Sequence, residues 1–488
     1  MGICRRQFGA CILGGLAARA LALPPRPKLL VLVIVEQLRS DSLDSAWPQL
    51  GAGGFQRLRS KGAHFPDCRH LASTFTATGI ATLATGAWPA QHGIVADSWY
   101  DRSARKPVNA SEEALLATTL AAQIAAEPRS RLFVVSMDAP HAGLYAGTPR
   151  GRLFWMDDRG QFSTRGEAPQ WLAESNALHP LDDRHNAKWM ALGVRPGAPP
   201  LRTLAFEPAR PREFLALYQA SPFGQEAQFE FLAELIARER LGQGDTFDFV
   251  CLLEGSTALL GYETGGRSPL IEQMTLHLDR QLEALLNQLS RAPGENAFNL
   301  VVAAAHGAPP EPAAEARARM AVNGEAIAQA VESAIKDSGS HVEKYVYPFL
   351  YLRSGVADPE LVRLQAARAA LEHPAVAGYY TAGGACSTHG EWERRFRNSF
   401  HPKRSGDVML AYHPEYIEDY GAGRGVSYGS LYNYDVRVPL FFYGPQFRAG
   451  VFEPPVESAD VAPTLARAMG VAAPSSSSGR VLGEAFAE

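Results

Sequence analysis

The chain has 488 residues, of which 46% are hydrophobic and 20% charged. This is an ordinary globular composition, long enough for one large α/β domain with insertions or for two domains. A formal net charge of −4 supplies no basic field of the kind that gathers nucleic acid or anionic lipid, so neither is expected as a partner.

The N-terminus, "MGICRRQFGACILGGLAARALALPP", sets Arg5 and Arg6 before an apolar stretch from Phe8 to Ala18 and the small-x-small triplet Ala20-Leu21-Ala22. That is signal-peptide architecture: residues 1–22 are expected to be removed, and the mature chain 23–488 to be periplasmic or extracellular. The paired arginines followed by Gln7 and Phe8 suit twin-arginine export, with a Sec signal or a retained anchor as alternatives. The apolar stretch is too short to span a bilayer, so no stable membrane span is expected after cleavage. Loss of Cys4 and Cys11 leaves Cys68, Cys251 and Cys386, an odd number without CxxC spacing. At most one internal disulfide can then form, and Cys251 in "FDFVCLLEG" reads as a small buried hydrophobe.

Short continuous apolar runs follow at 28–38, 131–138, 247–255, 299–307 and 438–444. Runs of this kind belong to sheets covered on both faces, which predicts an α/β fold with a mainly parallel central sheet between helical layers. In "LIEQMTLHLDRQLEALLNQLSR" (270–291), Ile271, Met274, Leu278, Leu282 and Leu285 recur at helical spacing and predict a core-facing helix. Two segments, at about 145–225 and 310–425, break the alternation and read as insertions over the functional edge of the sheet.

The run "NLVVAAAHGAPP" (299–310) ends at His306, where Gly307, Pro309 and Pro310 stop the strand. An α/β protein places its site at such strand ends. His306 reads either as a metal ligand or as the remnant of one, because Ala303, Ala304 and Ala305 bring no carboxylate.

Seven ordered stretches resemble the alkaline phosphatase superfamily: "STFTATGIATLATGAWPAQHGIVADSWYDR" (73–102), "SPFGQEAQFEFLAELI" (221–236), "LLEGSTALLGYETGGRSP" (252–269), "AAAHGA" (303–308), "RSGDVMLAYHPEY" (404–416), "SYGSLYNYDVRVPLFFYG" (427–444) and "SADVAPTLARAMGV" (458–471). The resemblance is to the phosphate-irrepressible alkaline phosphatases and the type I phosphodiesterase and nucleotide pyrophosphatase group. It implies a site at the carboxyl edge of the sheet, where two zinc ions held by Asp and His activate a Thr or Ser at a helix N-terminus. Carboxylate and imidazole suit zinc, and the ion pair clamps the attacking and leaving oxygens of phosphoryl transfer.

Carried over residue by residue, the resemblance puts Glu36 at the place of the first Asp ligand and Thr76 at the nucleophile. A Thr at a helix start is otherwise usually a cap. Ala258 and Tyr262 stand where an Asp and a His would be, Ala305 where an Asp precedes His306, and Tyr428 where a His precedes Gly. Met137 and Ala139 stand where a Lys and an Arg hold phosphate, and Asp97 where an Asn does. One metal site thus loses all its ligands while the other keeps Glu36, Thr76 and His306. Neither zinc is expected to be a working cofactor, and at most one divalent metal binds weakly. An acid beside the nucleophile would repel phosphate, with no cation left to compensate.

Phosphoester hydrolysis demands accelerations of up to ~10²¹, supplied largely by metals and positioned charge, so these losses weigh heavily. The resulting expectation is a catalytically inactive exported pseudophosphatase that binds an unknown protein or small molecule. The alternatives are a weak one-metal or metal-free phosphomonoesterase or phosphodiesterase using Thr76, and a relic without a ligand. Glu36, Thr76 and His306 should converge, with Tyr262 and Tyr428 filling the vacated volume, Met137 and Ala139 bordering it and Asp97 near Thr76. His92 is expected to make a structural hydrogen bond. His141, His389, His401 and His413 read as ordinary polar residues, and "RSGD" (404–407) as a turn whose Arg404 is a weak candidate for anion binding.

Overall fold

Seven consecutive apolar residues, Leu29–Val35, form a strand in which every residue is buried, as a strand covered on both faces must be. The computed structural model describes residues 26–195, 197–310, 321–335, 340–414, 416–419 and 428–487. The expected signal peptide lies outside them.

Around this strand the described residues build a ten-stranded sheet. Its middle is parallel, in the order Phe298–Ala304, Leu29–Val35, Phe247–Glu254, Ser130–Ser136 and Arg152–Met156. The register pairs Val35 with both Glu254 and Ala304, so the residues that follow these strands emerge side by side at one edge. Arg437–Tyr443 runs antiparallel between Phe298–Ala304 and Ala63–Arg69, and Phe162–Thr164 closes the other side antiparallel to Arg152–Met156.

One group of helices, Thr76–Thr85, Leu120–Ala126, Ala139–Ala146 and Val461–Met469, packs together. A second comprises Ser40–Ala46, Phe55–Lys61, Pro222–Arg238 and Pro269–Leu289. The helix predicted from 270–291 is Pro269–Leu289. Its Ser268 side chain accepts the Ile271 amide as an N-cap, and all five predicted ridge residues are buried.

The two irregular segments behave differently. The first, expected to lie over the edge, begins by extending the sheet itself with Arg152–Met156 and Phe162–Thr164, because the apolar "RLFWM" can pair with the exposed flank of Ser130–Ser136. The second holds an antiparallel sheet of Val342–Val346, Phe349–Leu352, Val408–Tyr412 and Val376–Thr381. Asp407 fastens it, accepting from Arg102 Nη2 at 2.5 Å, Arg363 Nε at 2.9 Å and the Leu352 amide at 2.7 Å. "RSGD" is therefore an anchor. The Arg404 guanidinium donates to the Gly93 carbonyl at 2.6 Å and lies over the Trp99 ring.

Cys68, Cys251 and Cys386 are all free, and Cys251 is fully buried. Among the described residues no helix is long and apolar enough to cross a membrane.

Candidate functional site

The helix Thr76–Thr85 starts without a side-chain cap, so the Thr76 hydroxyl is free for another partner. It lies 2.9 Å from Nε2 of His306, which follows the strand Phe298–Ala304. His306 Nδ1 is 2.6 Å from the Gly307 carbonyl, an acceptor only, so Nδ1 carries the proton and Nε2 accepts from Thr76. Burial holds the imidazole down at about 4, against the Gly307 hydrogen bond and with help from the nearby His141 charge. An imidazole held that low is a weak proton acceptor. Gly79 sets the closeness of helix and strand, because a Cβ there would sit 2.2 Å from the Ala305 carbonyl oxygen.

Glu36 follows the neighbouring strand, its amide donating to the Glu254 carbonyl at 3.0 Å. Burial lifts its carboxyl to about 8; His141 opposes this, and Asp138, Glu254 and Asp97 add to it. Asp138 caps the helix Ala139–Ala146 by accepting the His141 amide at 2.8 Å, and its other oxygen lies 2.8 Å from His141 Nδ1. That ring also lies 3.8 Å from Glu36. Burial opposes the charge on His141, but the Asp138 hydrogen bond and the charges of Glu36 and Asp97 carry it to about 9, making it a cation at neutral pH.

His141 therefore corrects two expectations. It is no ordinary polar residue, and a cation does remain beside the acids. The sequence signal is "DAPH", an Asp at a helix start with a His three residues on, which sets the two side chains on one face. Glu254 was missed too. Both its oxygens accept from Thr257, at 2.6 and 3.2 Å, while burial raises it to about 7.

Asp97 accepts the amide of Ala77 at 2.8 Å, which puts it beside the Thr76 corner. Desolvation raises its carboxyl, against the Ala77 hydrogen bond and the His141 charge. The Tyr428 ring stacks 4.9 Å from His306 and meets Tyr262 edge-on at 5.1 Å. Ala258 is buried one turn before Tyr262 on the same helix. A Cβ on Gly255 would lie 3.2 Å from Met137 Cβ and 3.9 Å from a Glu36 oxygen, so Met137 stands on the Glu36 side. Ala139 opens the helix between Asp138 and His141. A cavity of about 280 Å³ beside Thr76 is lined by Phe75, Asp97, Tyr262, Tyr347 and Tyr428 among others. Tyr347 comes from the second sheet, which thereby covers this edge.

His92 is buried and holds a loop, with Nδ1 accepting the Ile94 amide at 3.1 Å and Nε2 at 3.2 Å from Thr82 Oγ1. His389 and His413 are exposed, and His401 accepts the Lys403 amide.

These donors do not fit a pair of zinc ions. Nε2 of His306 is engaged by Thr76, and Tyr428 packs against the imidazole. Glu36 faces a histidine that is itself bound to Asp138. Among the described residues no group of three or more His, Cys, Asp or Glu is arranged to hold a metal ion.

The central sheet and the helices around it form the alkaline phosphatase-like fold. The type I phosphodiesterase / nucleotide pyrophosphatase family model matches residues 30–426, and the chain belongs to that family. Alkaline phosphatase PafA of Elizabethkingia meningoseptica is 25% identical over 98% of both chains. Alkaline phosphatase PhoK of a Sphingomonas species is 27% identical over 92% of this chain and 89% of its own. The crystal structure of wild-type PafA superposes with a TM-score of 0.81 at 22% identity, covering 96% of this chain and all of that one. Murine ectonucleotide pyrophosphatase / phosphodiesterase 5 gives 0.57 at 16% identity, covering 91% and 95%.

Proposed function

We propose that this family member is an exported, catalytically inactive pseudophosphatase that acts by binding a small molecule or a protein partner. The observation that carries the reading is the donor set around Thr76. Ala258, Tyr262, Ala305 and Tyr428 occupy the positions that the family resemblance assigns to Asp and His ligands, and His306 gives its free nitrogen to the Thr76 hydroxyl. Glu36, Thr76 and His306 are left as a residual set for at most one weakly held divalent metal. Met137 and Ala139 take the place of a phosphate clamp, and Asp97 adds a negative group beside the nucleophile position. Export rests on the twin-arginine and apolar pattern of residues 1–22. The test is zinc content by elemental analysis together with phosphomonoesterase and phosphodiesterase assays on mature protein. Zinc-dependent turnover that Thr76→Ala abolishes would overturn the reading.

A second reading draws on one feature. Thr76 donates to His306 while the His141 cation stands nearby, which are the parts of a weak metal-free or one-metal phosphoester hydrolase using Thr76 as nucleophile. Residual turnover lost in both Thr76→Ala and His306→Ala without any zinc dependence would favour it.

A further inference from the structure

The cavity beside Thr76 has an unusual wall. Phe75 meets Tyr347 at 72° with ring centres 5.9 Å apart, and Tyr428 at 66° and 6.1 Å. Tyr262 meets Tyr428 at 76° and 5.1 Å. Rings set nearly at right angles form corners, so they enclose a space where stacked rings would fill it. Asp97 and Ser98 supply the polar part of the lining, and among the described residues no Lys or Arg lines the cavity. Behind Asp97 the His141 ring lies 2.8 Å from Asp138 and 3.8 Å from Glu36, so it pairs with acids outside the cavity lining. An anion entering here would meet like charge, whereas a cation would meet a carboxylate and the negative faces of the rings. At about 280 Å³ the space suits a small ligand.

We propose that this cavity is a binding site for a small organic cation of the substituted-ammonium type, enclosed by Phe75, Tyr262, Tyr347 and Tyr428 with Asp97 as its counter-charge. The inference rests on the reading of the site as a binding pocket and names its ligand class. Phe75 precedes Thr76 in the chain, Asp97 reaches the same corner by accepting the Ala77 amide, and Tyr347 is delivered by the second sheet, so the enclosure exists only in the folded chain.

Titration calorimetry on the mature protein tests it with choline, tetramethylammonium and 3,3-dimethylbutan-1-ol, the uncharged isostere of choline. Both cations are expected to bind with Kd below about 1 mM, and the isostere at least about tenfold more weakly. Asp97→Asn and Tyr347→Leu should each weaken cation binding about tenfold or more. Should Asp97→Asn fail to fold, the isostere comparison and Tyr347→Leu decide. Equal affinity for cation and isostere, or no cation binding at about 10 mM, overturns the proposal. Zinc-dependent, Thr76-dependent turnover would overturn the underlying binding reading instead; absence of both turnover and cation binding removes only the ammonium site.

Discussion

The Thr76 hydroxyl donates to His306 Nε2 across 2.9 Å, although 230 positions separate the two residues. The Gly307 carbonyl fixes the tautomer that makes this possible. The nitrogen that would face a metal is thus already engaged, and the hydroxyl that would attack phosphorus faces a weak base.

Zinc supplied to the mature protein is therefore expected to bind substoichiometrically. Hydrolysis of aryl phosphate mono- and diesters should be the same before and after chelation, and the same in Thr76→Ala. Elemental analysis and steady-state assays on the two proteins check this, and stoichiometric zinc with chelator-sensitive turnover would contradict it.

Gly79→Ala should destabilise the protein although alanine is the better helix former by about 1 kcal/mol. The added Cβ would lie 2.2 Å from the Ala305 carbonyl oxygen, a backbone atom without a rotamer to escape into. Overpacking of this kind costs roughly 1–3 kcal/mol, so after the helix-propensity gain the net loss should be up to about 2 kcal/mol. Urea unfolding measures it; an unchanged or higher midpoint would show that helix and strand separate freely.

Stability should fall as pH rises from about 6 to 9. His141 is raised from 6.5 to about 9, so its contribution is fully present below 6.5 and is lost as pH climbs through 9. Glu36, raised from 4.5 to about 8, binds its proton more tightly when folded and acts in the same direction between those values. Asp138 and Asp97 are the other acids facing His141. In thermal melts His141→Asn should flatten the slope between pH 7 and 9 by on the order of 1–2 kcal/mol. Parallel profiles for the two proteins would count against it.

Asp407→Asn should loosen the second sheet while leaving the central one intact. The change leaves the Arg102 and Arg363 guanidinium groups without the carboxylate they share, a loss of about 2 kcal/mol or more. Hydrogen exchange should quicken in Phe349–Leu352 and Val408–Tyr412, with no change in Leu29–Val35. Uniform protection in both proteins would rule out the anchor.

The amino-acid sequence alone determined the elements that depend on local pattern. The apolar runs near 28–38, 131–138, 247–255, 299–307 and 438–444 are strands of the central sheet, and the 270–291 pattern is a helix. Buried strands and amphipathic helices write their burial into consecutive residues, so this much is legible without coordinates. Which way each strand runs was not: Arg437–Tyr443 is as apolar as its neighbours yet antiparallel to them, because direction follows from the connection and not from the run. Only the tertiary structure decided that His141 stands between Asp138 and Glu36, and that Tyr347 and Tyr428 meet Phe75 around one cavity. A single histidine on a short helix, or a single tyrosine in a loop, carries no periodic signal. Their charge and their role come from neighbours that the fold brings in from distant parts of the chain.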